Sequence, residues 1–278
     1  MKIGLVGYGY WGKIVWTNLN KMGYEVTICD PFLDFGIKDY RDLDVDCVFV
    51  LTPVDSHYEV CSHFLNKGVH VFCEKPLVTT SDQAVRLYRK AKQNNVCLFV
   101  DWIFTFNNQV NLIKKLVEDK KYGNLKSVTM NRLNLGPERK DVSAKYDLAC
   151  HDVSIVSHIF NNKTPNKAHW LGYKRKKSST VNDSCFGFLN FGQTMVQINT
   201  SWHYGKKDRT CIFEFEKGFL YWEDAEQKLE INGKSLWKDG PSPLENSINA
   251  FLKKGYDYKH QEKLTINVLK VLENENTF

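Results

Sequence analysis

The chain has no apolar run approaching the roughly 20 residues that a membrane-spanning helix needs, so no such helix is expected. It opens on Met1-Lys2-Ile3-Gly4-Leu5-Val6-Gly7, which reads directly as a strand. The basic region, apolar core and cleavage site of a secretory leader are missing there. A cytoplasmic protein without membrane partners is the expectation. No CxxC pair occurs among the eight cysteines, and Cys47, Cys73, Cys97 and Cys185 lie inside apolar strand-like runs. Thiols placed in that way read as small buried hydrophobes of a reducing compartment rather than a disulfide framework. His63, His70, His158, His169, His203 and His260 lack ligand spacing, so no metal site is expected. Internal repeats and low-complexity segments are absent too. A nucleic-acid partner would need basic and aromatic residues interleaved on one exposed face. Trp170, Phe186, Phe188, Phe191 and Trp202 read instead as core or subunit interface, and no nucleic acid is expected.

What is present is an ordinary globular composition, 42% hydrophobic and 25% charged, over 278 residues. That length allows two domains with proper cores. Residues 1–120 hold 14 basic and 14 acidic side chains, whereas 121–278 hold 24 and 18, so the whole net charge of +6 lies in the second part. A basic second domain could attract an anionic substrate or a nucleic acid. The run Lys174, Arg175, Lys176, Lys177 before Ser178-Ser179 reads more simply as a solvated loop.

Short apolar runs at 3–6, 25–29, 47–51, 70–73 and 97–100 read as strands. Between them, 11–22, 57–67 and 82–94 carry helical periodicity, with Ser81 as the expected cap of the last. Alternating strand and helix implies βαβ units and a parallel sheet. A helix over 107–120 is expected to lead out of this domain. The rhythm then changes to longer strands at 127–134, 167–173, 184–191, 194–202 and 210–216. Gly192-Gln193 and Lys217-Gly218 mark hairpin turns. Helices are expected at 147–160, 243–254 and 261–273. The fold class is therefore α/β: a parallel-sheet domain over 1–120, then an α+β domain over 121–278 with a largely antiparallel open sheet. An open sheet with one apolar face needs cover, and a homo-oligomer, dimer or tetramer, is expected to supply it.

Gly7-Tyr8-Gly9-Tyr10-Trp11-Gly12 follows the first strand and opens a helix. In this GxGxxG pattern the first glycine permits a tight turn and the second lets backbone approach a pyrophosphate. The third allows close helix–sheet packing, and the helix N-terminus offers N–H donors. The second strand ends at Asp30, placed to accept hydrogen bonds from adenosine ribose hydroxyls and to repel a 2′-phosphate. Pro31-Phe32-Leu33-Asp34 follows without an arginine, so the Rossmann pattern favours NAD over NADP.

Glu74-Lys75-Pro76 stands at the end of the fourth strand, where ligands of such sheets bind, so Glu74 and Lys75 are expected at the cofactor edge. A lysine there could hydrogen-bond a substrate hydroxyl and share its proton as hydride leaves the carbon. Read alone, a strand-end lysine is more often a surface charge. Asp147 and His151 are i and i+4 on the expected helix. The carboxylate could orient the imidazole as a base, or the pair could be a helix-face hydrogen bond of no functional consequence.

Together these residues resemble the Gfo/Idh/MocA oxidoreductases, the glucose–fructose oxidoreductase and inositol dehydrogenase superfamily. The matching elements run in order: Gly7–Gly12, Asp30, Thr52-Pro53 with His57, Glu74-Lys75-Pro76, and Asp147 with His151. Trp202 with Lys206, Lys207 and Arg209, and Pro243-Leu244-Glu245 with Phe251, complete the likeness over nearly the whole chain. The resemblance implies that Thr52, Pro53 and His57 line the dinucleotide site. It implies that Lys75, Asp147 and His151 line the substrate site, and that the substrate is a sugar, inositol or nucleotide-linked sugar. One departure is Asp101-Trp102-Ile103-Phe104-Thr105, where the family often carries a Gly-Phe pair and an arginine. The expectation is an NAD(H)-dependent dehydrogenase or reductase acting on a ring CH–OH, with the basic second domain favouring an anionic or nucleotide-linked sugar. The alternative is a non-catalytic dinucleotide-binding sensor or structural subunit, which would be expected to lose Lys75, Asp147 and His151.

Overall fold

A computed structural model describes residues 1–139, 141–253 and 258–274. Four of the five N-terminal strands have every residue buried or all but one. Strands of that kind require cover on both faces, the condition of a parallel sheet flanked by helices. They are β1 (Ile3–Val6), β3 (Cys47–Val50), β4 (His70–Cys73) and β5 (Leu98–Val100), with β2 (Val26–Cys29) at an edge. All pair parallel, in the order β2-β1-β3-β4-β5. Helices α1 (Tyr10–Lys21), α2 (Val54–Asn66) and α3 (Ser81–Gln93) make the crossovers. The order reverses beside β1, and the carboxyl ends there form the ligand crevice of this topology. The cap of α3 is Thr80 rather than Ser81: its side chain accepts from the Gln83 amide at 3.3 Å.

The chain groups into two compact units, which do not follow the single division expected at 120. One holds Met1–Ile103 with Ser242–Ile266; the other holds Phe104–Pro241 with the residues from Asn267 onward. The second unit begins with α4 (Asn108–Glu118), capped by Asn107, whose Oδ1 accepts from the Gln109 amide at 2.8 Å. Its sheet runs β14-β13-β12-β11-β6-β9-β8-β7, and β10 also pairs with β6. These strands are β6 (Leu125–Leu135), β7 (Lys167–Tyr173), β8 (Ser184–Phe191), β9 (Thr194–Ser201), β10 (His203–Asp208), β11 (Thr210–Phe215), β12 (Gly218–Glu223), β13 (Lys228–Ile231) and β14 (Lys234–Ser235). The sheet is mixed, since β6 and β9 are parallel. Only adjacent hairpins were legible in the sequence; β6 instead sits mid-sheet between β11 and β9. Helix α5 (Cys150–Ile159) follows β6 and is buried along its length except for His151.

The first unit is completed by α6 (Pro243–Leu252) and by α7 (Tyr258–Glu273) as far as Ile266. Ser242 caps α6 and Pro243 pre-sets its first turn. Its expected end at Lys254 lies outside the described residues. Phe251 anchors the helix among Phe49, Phe72 and Phe99, with ring centroids 5.4 to 5.8 Å away. Such pairs add about 0.5–1.5 kcal/mol beyond the area they bury. Below α6, Tyr88 and Trp102 both donate to the Thr265 hydroxyl, at 3.0 and 2.9 Å.

Candidate functional site

In the first unit, the glycine turn is built as its spacing implies. Gly7 has φ +95°, and a Cβ there would lie 2.8 Å from the Leu51 carbonyl carbon. A Cβ on Gly12 would collide with the Gly7 carbonyl oxygen. At Gly9 the same atom would meet nothing within 4 Å, so the space above the turn is open. No side chain caps α1, whose first amide donors are left for a ligand. Tyr8 and Tyr10 flank Gly9, and Tyr10 is 84% exposed.

Asp30 follows β2 and locks this turn. Its Oδ2 accepts from the Tyr8 amide at 2.8 Å and its Oδ1 from the Phe32 amide at 3.0 Å. Each carboxylate oxygen retains acceptor capacity for a ribose hydroxyl. Phe32 and Phe35 beside it are exposed aromatics that the sequence reading did not single out. Open space at Gly9, uncapped amides and a strand-end carboxylate fit a dinucleotide.

The other strand ends converge on the same edge of the sheet. His57 of α2 is 1% exposed, and its ring nitrogens lie 2.8 Å from the Thr52 carbonyl oxygen and 3.0 Å from that of Pro76. It thereby ties the end of β3 to the segment after β4. Thr52 and Pro53 form the β3 turn, where Ser56 donates to the Thr52 hydroxyl at 2.7 Å. Glu74 continues β4, its amide donating to the Val50 carbonyl at 3.0 Å. Lys75 follows, joined to Pro76 by a cis peptide. Beside them, directly after β5, stands a group the sequence reading treated only as a family departure: Asp101. Burial pushes its carboxyl up to about 7, against the opposing effects of Ser247 and Lys75.

In the second unit, Asp147 lies in a π-helical turn, Lys145–Ala149, that runs into α5. The expected helix therefore begins wider than α, and the regular part opens at Cys150, with His151 next to it. Trp202 donates its indole N–H to Asp147 Oδ2 at 3.0 Å, and Arg139 Nη1 stands 3.7 Å from Oδ1. Trp202 is buried with Ala144 and Leu148, so the carboxylate is held by a fixed donor. His151 meets the ring of Phe104 edge-on at 5.2 Å, and the Arg132 guanidinium lies over that same ring at 4.7 Å.

Arg132 is itself buried against Asp152, with contacts of 2.6 to 3.1 Å. Burial opposes its charge, and Asp152 more than offsets this, leaving the guanidinium above its usual range. Removing one partner of such a pair costs roughly 3–5 kcal/mol, so the pair works as a structural pin below Phe104. Arg209, by contrast, is drawn down to about 10 by burial and by Arg132, and donates to Asn134 at 2.8 Å. The basic run at 174–177 is more than a solvated loop. The Arg175 and Lys176 amides and the Ser179 hydroxyl all donate to buried Asp183, and Lys176 pairs with Glu138 at 2.8 Å.

Comparison with known proteins matches residues 36–102 to the model of an oxidoreductase family with an NAD-binding Rossmann fold. Residues 110–221 match the Gfo/Idh/MocA C-terminal domain. The chain belongs to the Gfo/Idh/MocA oxidoreductase family. The glycine turn and Asp30 precede the matched part, and their assignment comes from the geometry above. One relative is the scyllo-inositol 2-dehydrogenase (NADP(+)) of Bacillus subtilis, 25% identical over 209 residues, 65% of this chain and 57% of that protein. The chain thus spans little more than half the length of that relative. Among solved structures, UDP-N-acetylglucosamine 3-dehydrogenase from Acidithiobacillus ferrooxidans has a TM-score of 0.83 at 16% identity, covering 98% of this chain and 96% of that one. The WlbA dehydrogenase of Bordetella pertussis, in complex with NADH and UDP-GlcNAcA, has 0.81 at 18% identity, covering 98% and 95%. At such identities the likeness is one of fold. Family membership and the strand-end geometry agree on an NAD-binding Rossmann domain in the first unit. Among the described residues no helix is long and apolar enough to cross a membrane.

Proposed function

We propose that this member of the family is an NAD(H)-dependent dehydrogenase or reductase acting on a ring hydroxyl or keto carbon of a sugar or nucleotide-linked sugar. The first unit binds the dinucleotide, and the second recognises the substrate. The observation that carries this reading is the common placement of the open turn at Gly9, Asp30 and Lys75 along one edge of the parallel sheet. The nicotinamide, when bound, accepts or returns the hydride of the alcohol carbon. Lys75 hydrogen-bonds the reacting oxygen and favours its negative charge as the proton departs. His151 takes or returns that proton, and Asp147, held by Trp202 and Arg139, favours the charged imidazole. Asp30 favours NAD over NADP, because a 2′-phosphate would meet its carboxylate. Arg139, Arg209 and the excess of basic side chains in the second part suit an anionic sugar, uronic or nucleotide-linked. Eight free, buried cysteines fit a reducing, cytoplasmic setting.

The test is turnover in His151→Ala and Lys75→Met. Each variant is expected to bind NAD as the wild type does and to lose on the order of 10²–10⁴ in kcat, the usual range for a lost acid–base group. Unchanged kcat across the pH range in either variant would remove that residue from the mechanism.

A further inference from the structure

Asp101 is a buried carboxyl that the chemistry above leaves unused. Its amide donates to the Cys73 carbonyl at 2.9 Å, which sets it across the sheet edge from Glu74 and Lys75. The residue is 1% exposed. Oδ1 accepts from the Ser247 hydroxyl of α6 at 2.6 Å. Oδ2 is enclosed and has no hydrogen-bonding partner among the described residues. Enclosing a carboxylate oxygen without a donor is costly unless the group is protonated or an opposite charge stands near. Of the elements packed against it, α6 presents the uncharged Ser247. The segment after β4 presents Lys75, the one charged group acting on it among the described residues. A carboxyl placed purely for packing would gain nothing from that half-satisfied state. A neutral residue of the same shape would do better.

We propose that Asp101, anchored by Ser247, is a positioning residue that acts through Lys75: its carboxylate keeps the lysine charged and drawn toward the end of β5. The lysine then meets the substrate oxygen as a hydrogen-bond donor with a proton in place, rather than as a neutral amine. The inference rests on the reading of Lys75 as a participant in the reaction. Burial pushes the Asp101 carboxyl up to about 7, so its charge, and with it the field at Lys75, changes near neutrality. The pair was hidden in the sequence, because Asp101 and Ser247 are 146 positions apart.

Coupling of this kind is reciprocal, which supplies two measurements that need no substrate. Competitive acetylation of the full chain, read by mass spectrometry across pH, reports the titration midpoint of Lys75. In Asp101→Asn, which keeps the shape and an acceptor for Ser247, that midpoint is expected to fall by about one pH unit or more. In the converse measurement, ¹³C-aspartate NMR follows Asp101, assigned by its loss in Asp101→Asn, and Lys75→Met is expected to raise its midpoint by a similar amount. If Asp101→Asn fails to fold, the second measurement decides. Where turnover is found, the acidic or basic limb of the kcat profile in Asp101→Asn should move with the Lys75 midpoint, while NAD affinity stays unchanged. An unmoved Lys75 midpoint in folded Asp101→Asn, or an unmoved aspartate midpoint in Lys75→Met, overturns the proposal. Absence of turnover on every alcohol, with both midpoints shifted, would overturn the dehydrogenase reading and leave the coupling standing.

Discussion

Asp30 carries two loads. It fixes the glycine turn through the Tyr8 and Phe32 amides, and in the proposed function its remaining lone pairs would serve a ribose. The two roles separate experimentally. Loss of the turn contacts weakens every dinucleotide, whereas loss of the ribose contact weakens only the one without a 2′-phosphate. Hydrogen bonds to a charged group are worth about 1.5–3 kcal/mol each, and 1.4 kcal/mol is about tenfold in affinity. Asp30→Ala is therefore expected to raise the ratio of the NAD to the NADP dissociation constant about tenfold or more, measured by titration calorimetry. Equal weakening of both would leave Asp30 with the turn alone. At this scale, legibility followed sequence distance. The glycines and Asp30 act within a single βαβ unit and were readable from spacing. The indole donor to Asp147 comes from 55 positions away, and the pin formed by Arg132 and Asp152 has no motif to announce it.

The turn into α1 is the element whose sequence and geometry agree most closely. Its three glycines are held by different constraints, and the difference is measurable. Gly12 is closed by the Gly7 carbonyl, so Gly12→Ala forces the helix away from β1. Overpacking of this type costs about 1–3 kcal/mol, which corresponds to a melting point about 3 °C or more lower. Gly9 has open space and an ordinary negative φ of −71°, so alanine fits the protein there without strain. Gly9→Ala is expected to melt within about 2 °C of the wild type yet bind NAD at least tenfold more weakly, because its methyl fills the space the pyrophosphate needs. A Gly9→Ala protein with unchanged NAD affinity would contradict the placement of the cofactor. Strand and helix positions in the first unit were legible because buried parallel strands are uninterrupted apolar runs. In the second unit, β10, β12, β13 and β14 were given no range in the sequence; β10, β13 and β14 are short or rich in charge, as His203–Asp208 shows, and of β12 only the turn that opens it was read. The parallel pairing of β6 with β9 depends on a long connection that carries no local signal.

For the molecule as a whole, one face of the second sheet carries exposed apolar side chains among polar ones. Leu171, Phe188, Met195, Ile212 and Phe219 are exposed along neighbouring strands of that sheet. If a second copy covered these side chains, each aliphatic or aromatic residue buried would contribute about 1.5–3 kcal/mol. A homo-oligomer joined through this sheet is the expected solution state. Light scattering on the wild type should give the mass of a dimer or tetramer, and Ile212→Lys combined with Phe219→Lys should give a smaller one. A monomeric wild type would remove the face from consideration.

The claim on which the rest depends is hydride transfer between nicotinamide and a ring alcohol. It is reached most directly by following the near-ultraviolet absorbance of NADH while purified protein meets NAD or NADH and a panel of free, uronic and nucleotide-linked sugars with their keto forms. The account predicts a stoichiometric change with at least one anionic sugar, slowed about 10²-fold or more in Lys75→Met although that variant still binds NAD. Tight NAD binding with no absorbance change across the panel, or a change that persists undiminished in Lys75→Met, would contradict it.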